Sequence, residues 1–168
     1  PNQKFLYAVN ETGEGTVSAF SIEPETYQLK SLNQVSAKGK APCYISTDAK
    51  GKYAFTANYV TGNVGLFPIQ EDGRVGEAVA VLNHEKSKSK HPRQETAHAH
   101  FFAPKPNSDY AYAVDLGLDK IYQYQVDAKN GGLLPVGTTS MKGEDAGSRH
   151  LIWHPKKEWV YVINELNG

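Results

Sequence analysis

What this sequence has little of narrows its function first. Cys43 is the one cysteine among 168 residues, so no internal disulfide forms, and an unpaired thiol suits a reducing compartment. Neither charge dominates, with 18 basic residues against 18 acidic ones. A chain without a net field has no general means of gathering nucleic acid or an anionic membrane surface. No apolar run approaches the roughly 18 residues that span a bilayer, and no leader pattern opens the chain. A start at Pro1 rather than methionine leaves room for a leader already removed, and with it a periplasmic location. Glycine-rich nucleotide loops and serine-nucleophile motifs are missing as well. The expectation is a cytoplasmic protein that uses no cofactor and no metal, binds neither nucleic acid nor membrane, and acts on a small molecule.

Aromatic residues and glycines are plentiful by contrast. Ten tyrosines, six phenylalanines, two tryptophans and 15 glycines suit short strands joined by tight turns. The unit is clearest from Gly147 to Gly168: a strand from Arg149 to Trp153, a polar turn at His154-Pro155, then Trp159 to Ile163 ending in Asn164-Glu165. Proline cannot donate to a ladder and favours a strand boundary there. Earlier copies follow the same order. Phe5 to Val9 leads to Asn10-Glu11, Thr16 to Ile22 and a weaker strand, Leu29 to Ser36; Cys43 to Thr47 and Tyr53 to Ala57 lead to Asn58-Tyr59 and Asn63 to Ile69; Ala97 to Pro104 and Tyr110 to Val114 lead to Asp115 and Lys120 to Val126. Asn10, Asn58, Asp115 and Asn164 therefore recur at intervals of about 50 residues, the longest holding an insertion from Glu85 to Thr96.

A period of that length with four short strands per unit is the signature of a β-propeller. The fold class is thus all-β, a propeller of four-stranded antiparallel blades, with blade parts at roughly 1–41, 42–96, 97–147 and 148–168. Thirteen strands, grouped three, four, four and two, make about three and a quarter blades, whereas closed rings have about four to eight. The sequence reads as part of a ring, whose uncovered blade edges would invite association. Strands covered on both faces by neighbouring blades need no alternation, which accounts for the continuous apolar run from Trp159 to Ile163.

Several motifs in order carry a family resemblance. They are Gly39 to Ser46, Lys52 to Tyr59, His91 to Gln94 with Ala97 to His100, Val114 to Ile121, and Ser148 to Leu151 with Asn164 to Leu166. Together they resemble the seven-bladed lactonase family, which includes the propeller-type 6-phosphogluconolactonases and the carboxy-muconate lactonising enzymes. The resemblance covers essentially the whole chain. It implies a full protein about twice this length, a lactone substrate, and a histidine, an arginine and a glutamate at the positions matching His98 or His100, Arg149 and Glu165.

The residues themselves point the same way. Counting six residues back from Asp48, Pro104 and Pro155 makes Pro42, His98 and Arg149 repeat-equivalent, placing His98 beside Arg149 at one mouth of the channel. Asn164-Glu165 returns to that mouth. Lactone hydrolysis needs a deprotonated water, a stabilised oxyanion and a protonated leaving alkoxide. His98 can shuttle protons near neutral pH, Arg149 can serve an oxyanion, carboxylate or phosphate, and Glu165 can act as base or hold Arg149. Lys90 and Arg93, in the lysine-rich run before His98, and Asn164 are the candidates for substrate binding. Plainer readings stand beside these: channel histidines satisfied by backbone, a structural Arg149–Glu165 pair, a solvated loop from Glu85 to Arg93, and turn-closing roles for Asn10, Asn58, Asp115 and Asn164. His98 and His100, two apart on a strand, share a face that could suggest a metal, but no third ligand lies near in sequence. Three functions follow: sugar-lactone hydrolysis, a lactonising cycloisomerase acting on a carboxylated muconate, or a non-catalytic propeller that binds a partner.

Overall fold

Among the residues described by the computed structural model, 3–87, 89–142 and 145–168, there is no helix, and thirteen strands form four antiparallel sheets. Lys88, within the lysine-rich run, lies outside the described residues. The first sheet holds β1 (Phe5–Asn10), β2 (Thr16–Ile22) and β3 (Leu29–Ser36). The second holds β4 (Pro42–Thr47), β5 (Tyr53–Asn58), β6 (Asn63–Pro68) and β7 (Ala80–Asn83), and the third β8 (Ala99–Pro104), β9 (Tyr110–Asp115), β10 (Lys120–Asp127) and β11 (Gly132–Ser140). β12 (Ser148–Trp153) and β13 (Val160–Asn164) form the fourth. Each strand pairs with the next in sequence, the meander of a propeller blade.

Apolar clusters fill the joints between consecutive sheets. Val17 and Ala19 pack with Ala54 and Phe67; Phe55 and Leu66 pack with Phe102 and Tyr124; Phe101 and Val114 pack with Leu151. Facing sheets explain the buried strands that lack alternation: β5 is buried from Ala54 to Asn58 and β6 from Asn63 to Phe67. Outermost strands see water, and most of β11 is exposed. The run from Trp159 to Ile163 departs from the expectation drawn from its composition. Val114 on β9 is fully buried against the fourth sheet, whereas the residue at the same register on β13, Ile163, is 63% exposed. Its apolar character is that of a blade interior, but no fifth sheet covers it among the described residues.

The first strands β4, β8 and β12 carry a shared irregularity. Each has a register shift against its partner, between Pro42 and Tyr44, between Ala99 and Phe101, and between Ser148 and His150. The extra residues are Cys43, His100 and Arg149. This corrects the equivalence of Pro42, His98 and Arg149 obtained by counting from prolines: Pro104 closes β8, while Pro155 lies two residues beyond β12. A β-bulge re-aims the side chain it carries and ends regular pairing. It recurs where the strands converge, with Cys43 Sγ 3.5 Å from the carbonyl of Ala99. Among the described residues no helix is long and apolar enough to cross a membrane.

Candidate active site

Arg149 enters the mouth from the bulge of β12, and Glu165 follows the end of β13 beside it. Three backbone amides, those of Ala146, Gly147 and Ser148, donate to the Asp119 carboxylate and fix the entry to β12. Gly147 sits at φ +61°, and a Cβ there would lie 2.3 Å from the side chain of Leu166. Its carbonyl accepts the Glu165 amide at 2.7 Å. That contact holds Glu165 over Arg149, and Arg149 Nη1 meets Glu165 Oε2 at 3.0 Å.

A second arginine reaches the other oxygen of the same carboxylate. Arg93 Nη2 lies 2.7 Å from Glu165 Oε1, and the two are 72 positions apart in sequence. Gln94, next to Arg93, is buried and donates to the Leu116 carbonyl at 2.8 Å, which anchors the segment between β7 and β8. Tyr59 braces the guanidinium: its hydroxyl accepts from Arg93 Nη2 at 3.1 Å and Nε at 3.4 Å. These bonds, first to Tyr59 and then to Glu165, raise the pKa of Arg93 above its ordinary value.

His98 and His100 have different surroundings. His98 precedes β8, and its ring stacks on Tyr59 with centroids 4.3 Å apart. Its Nδ1 donates to the Tyr59 carbonyl at 2.9 Å, and its Nε2 is 3.3 Å from the Thr96 hydroxyl, so both ring nitrogens are engaged. His100, at the bulge, is buried and packs edge-on to Tyr59 and His150. Among the described residues its Nδ1 has no hydrogen-bond partner, and neither do His150 Nε2 and Arg149 Nε. Burial, then the positive charge of Arg149, push the His100 pKa down to about 4, against the opposing pull of Glu165. The imidazole is therefore neutral, a base, at pH 7. Burial, then Arg149, lower His150 as well. Partial burial opposes ionisation of Glu165, but the Arg93 hydrogen bond and the charges of Arg149, Arg93 and His100 outweigh it and hold the carboxyl below its usual range. Cys43 is pushed up to about 12, by burial and then by Glu11, and remains a thiol.

The structure thus brings Arg149, Glu165, Arg93 and His100 together and sets His98 into the wall through Tyr59. Lys90 lies apart, on an open depression of about 1060 Å³ that it shares with Lys120 and Asp145. Asn164 accepts from the Ser148 hydroxyl at 3.2 Å and donates to Asn167 at 3.0 Å. Tyr59 is the residue that sequence reasoning passed over. It follows Asn58 as Glu165 follows Asn164 and Glu11 follows Asn10, so the repeat itself carried the signal. Among the described residues no group of three histidine, cysteine or carboxylate side chains is placed to hold a metal.

A second polar cluster lies nearby and serves the fold. His84 Nδ1 is 2.5 Å from Asp115 Oδ2 and His84 Nε2 is 3.0 Å from the Tyr124 hydroxyl; both the His84 and Asp115 side chains are fully buried. Asp115 Oδ1 accepts the amides of His98 and Leu118.

A family profile described as lactonase, 7-bladed beta-propeller, matches residues 1–168. The chain is 38% identical to a 6-phosphogluconolactonase of Bacillus subtilis over 99% of its own length and 47% of that protein's. It is 30% identical to a 6-phosphogluconolactonase of Formosa agariphila, over 49% of that protein. The solved structure of a periplasmic gluconolactonase from Pseudomonas aeruginosa superposes with a TM-score of 0.88 at 31% identity, covering all of this chain and 50% of that one. The chain spans about half the length of these relatives.

Proposed function

The chain belongs to the seven-bladed β-propeller lactonases, and from that premise we propose that the full protein hydrolyses a phosphorylated sugar lactone, 6-phosphogluconolactone being the substrate that suits this mouth. The observation that carries the reading is the arrival of Arg93 on the same carboxylate as Arg149. One arginine would suit the carboxylate of a lactonising isomerase. Two suit the higher charge of a phosphate.

The roles follow from position and charge. Neutral His100 takes a proton from the attacking water as its oxygen bonds to the lactone carbonyl carbon. Arg149, beside it, stabilises the oxyanion that forms through a guanidinium nitrogen other than the one that meets Glu165. Collapse breaks the bond to the ring oxygen, and the imidazolium returns the proton to that leaving alkoxide, giving the hydroxy acid. Glu165 holds Arg93 and Arg149 in place in the empty site, and the two arginines receive the phosphate. His98, with both nitrogens already engaged, shapes the wall.

Acid release from 6-phosphogluconolactone by the full-length chain, corrected for spontaneous opening, tests the reading. Saturable turnover that drops far more in His100→Gln than in His98→Gln is the expected result. Equal losses would remove His100 from the proton-transfer role, and absence of turnover in the parent would overturn the substrate.

A further inference from the structure

We propose that Glu165 is the resident occupant of an anion site built by Arg93 and Arg149, and that a phosphate-bearing ligand enters by displacing it. This rests on reading the mouth as a phosphosugar-lactone site. The Glu165 carboxylate bridges the two guanidiniums, one oxygen to each, at 2.7 and 3.0 Å. Two oxygens of a phosphoryl group have a similar spacing and can span the same pair.

Displacement is favoured by charge and by exposure. The Arg93 and Arg149 side chains are 48% and 43% exposed, so their bonds to Glu165 are the water-screened kind that is weak and readily exchanged. A carboxylate ligand would replace Glu165 charge for charge and gain little. A phosphate dianion brings a second charge to the same two arginines. Arg93 also keeps its place when Glu165 leaves, because the Tyr59 hydroxyl still holds it through two nitrogens. The resident carboxylate thereby selects against singly charged ligands.

Calorimetric titration of the full-length chain with sulfate at pH 7 tests this, because sulfate is a tetrahedral dianion whose charge does not change near neutrality. Glu165→Gln should bind sulfate about tenfold or more tightly than the parent, and Arg93→Gln at least about tenfold more weakly, as removal of a competing or an attracting charge at a paired site requires. Acetate should compete poorly with sulfate in the parent. Sulfate affinity unchanged in either variant, or acetate competing as well as sulfate, would overturn the proposal. Turnover measured on the same parent protein separates the two readings: sulfate behaviour as expected without lactone turnover overturns the enzymatic reading alone, and turnover without the sulfate response overturns this inference alone.

Discussion

Two polar networks sit close together in this molecule and differ in what they have left to offer. In the buried one, His84 spends both ring nitrogens on Asp115 and Tyr124, and the second oxygen of Asp115 accepts two backbone amides. In the mouth, Arg93 and Arg149 share one carboxylate, remain nearly half exposed, and Arg149 Nε has no partner among the described residues. Leaving buried polar groups without their partners costs about 1–3 kcal/mol for each, whereas an exposed ion pair contributes roughly 0–1 kcal/mol. The first network is therefore structural, and the second contributes too little to stability for the fold to depend on it. They are mechanically joined. Asp115 holds the backbone of His98, His98 stacks on Tyr59, and Tyr59 braces Arg93.

The sharpest way to break this contrast is to exchange the effects. Asp115→Ala should lower stability by about 4 kcal/mol, read as a shift of the denaturant midpoint, because His84 and two amides lose their hydrogen-bond partner together. A variant as stable as the parent would remove the structural assignment. In the full-length protein Arg149→Ala should do the reverse, raising the barrier to the proposed lactone hydrolysis by about 3 kcal/mol while moving stability by less than about 1 kcal/mol. A large stability loss with turnover intact would collapse the distinction.

Acid pH should bear on His100 in a defined window. Its pKa is lowered to about 4 in the folded chain, against about 6.5 when unfolded, so folding favours the neutral ring. That contribution is fully present above the unfolded value and is lost as pH falls towards about 4. His100→Gln should flatten this part of a stability-versus-pH curve. The acid limb of kcat/KM should fall near 4 as well, and a limb near 6.5 would point to a different base. The smallest expected change is that of Tyr59→Phe, which removes the hydroxyl from Arg93. It should raise KM several-fold, about 1 kcal/mol, with kcat nearly unchanged. A fall in kcat of equal size would place Tyr59 in the chemical step instead.

Most strands were legible because the repeat states each of them several times; Leu29–Ser36 and Thr16–Ile22 read directly from the chain. The register of the first strands was not. Proline is tolerated at a strand end and in a turn alike, so Pro104 and Pro155 were poor markers of equivalent positions. The bulges that present Cys43, His100 and Arg149 add one residue without a composition of their own. Counting therefore chose His98, whose ring the structure binds to Tyr59, and undervalued His100. Arg93 stood out in sequence only as part of a basic run, and the same run supplied Lys90, which lines a depression with Lys120 and Asp145.

By itself the sequence determined the all-β repeat, the pairing of each strand with the next, and the nearness of Arg149 to Glu165, because all of these depend on short separations and a fixed period. Tertiary structure alone decided which histidine is buried with its Nδ1 unpartnered among the described residues, which basic residue joins Arg149, and which polar network is dry. Those outcomes depend on how three sheets converge on one mouth. Burial and charge at such a point are sums over distant residues, and no local pattern records them.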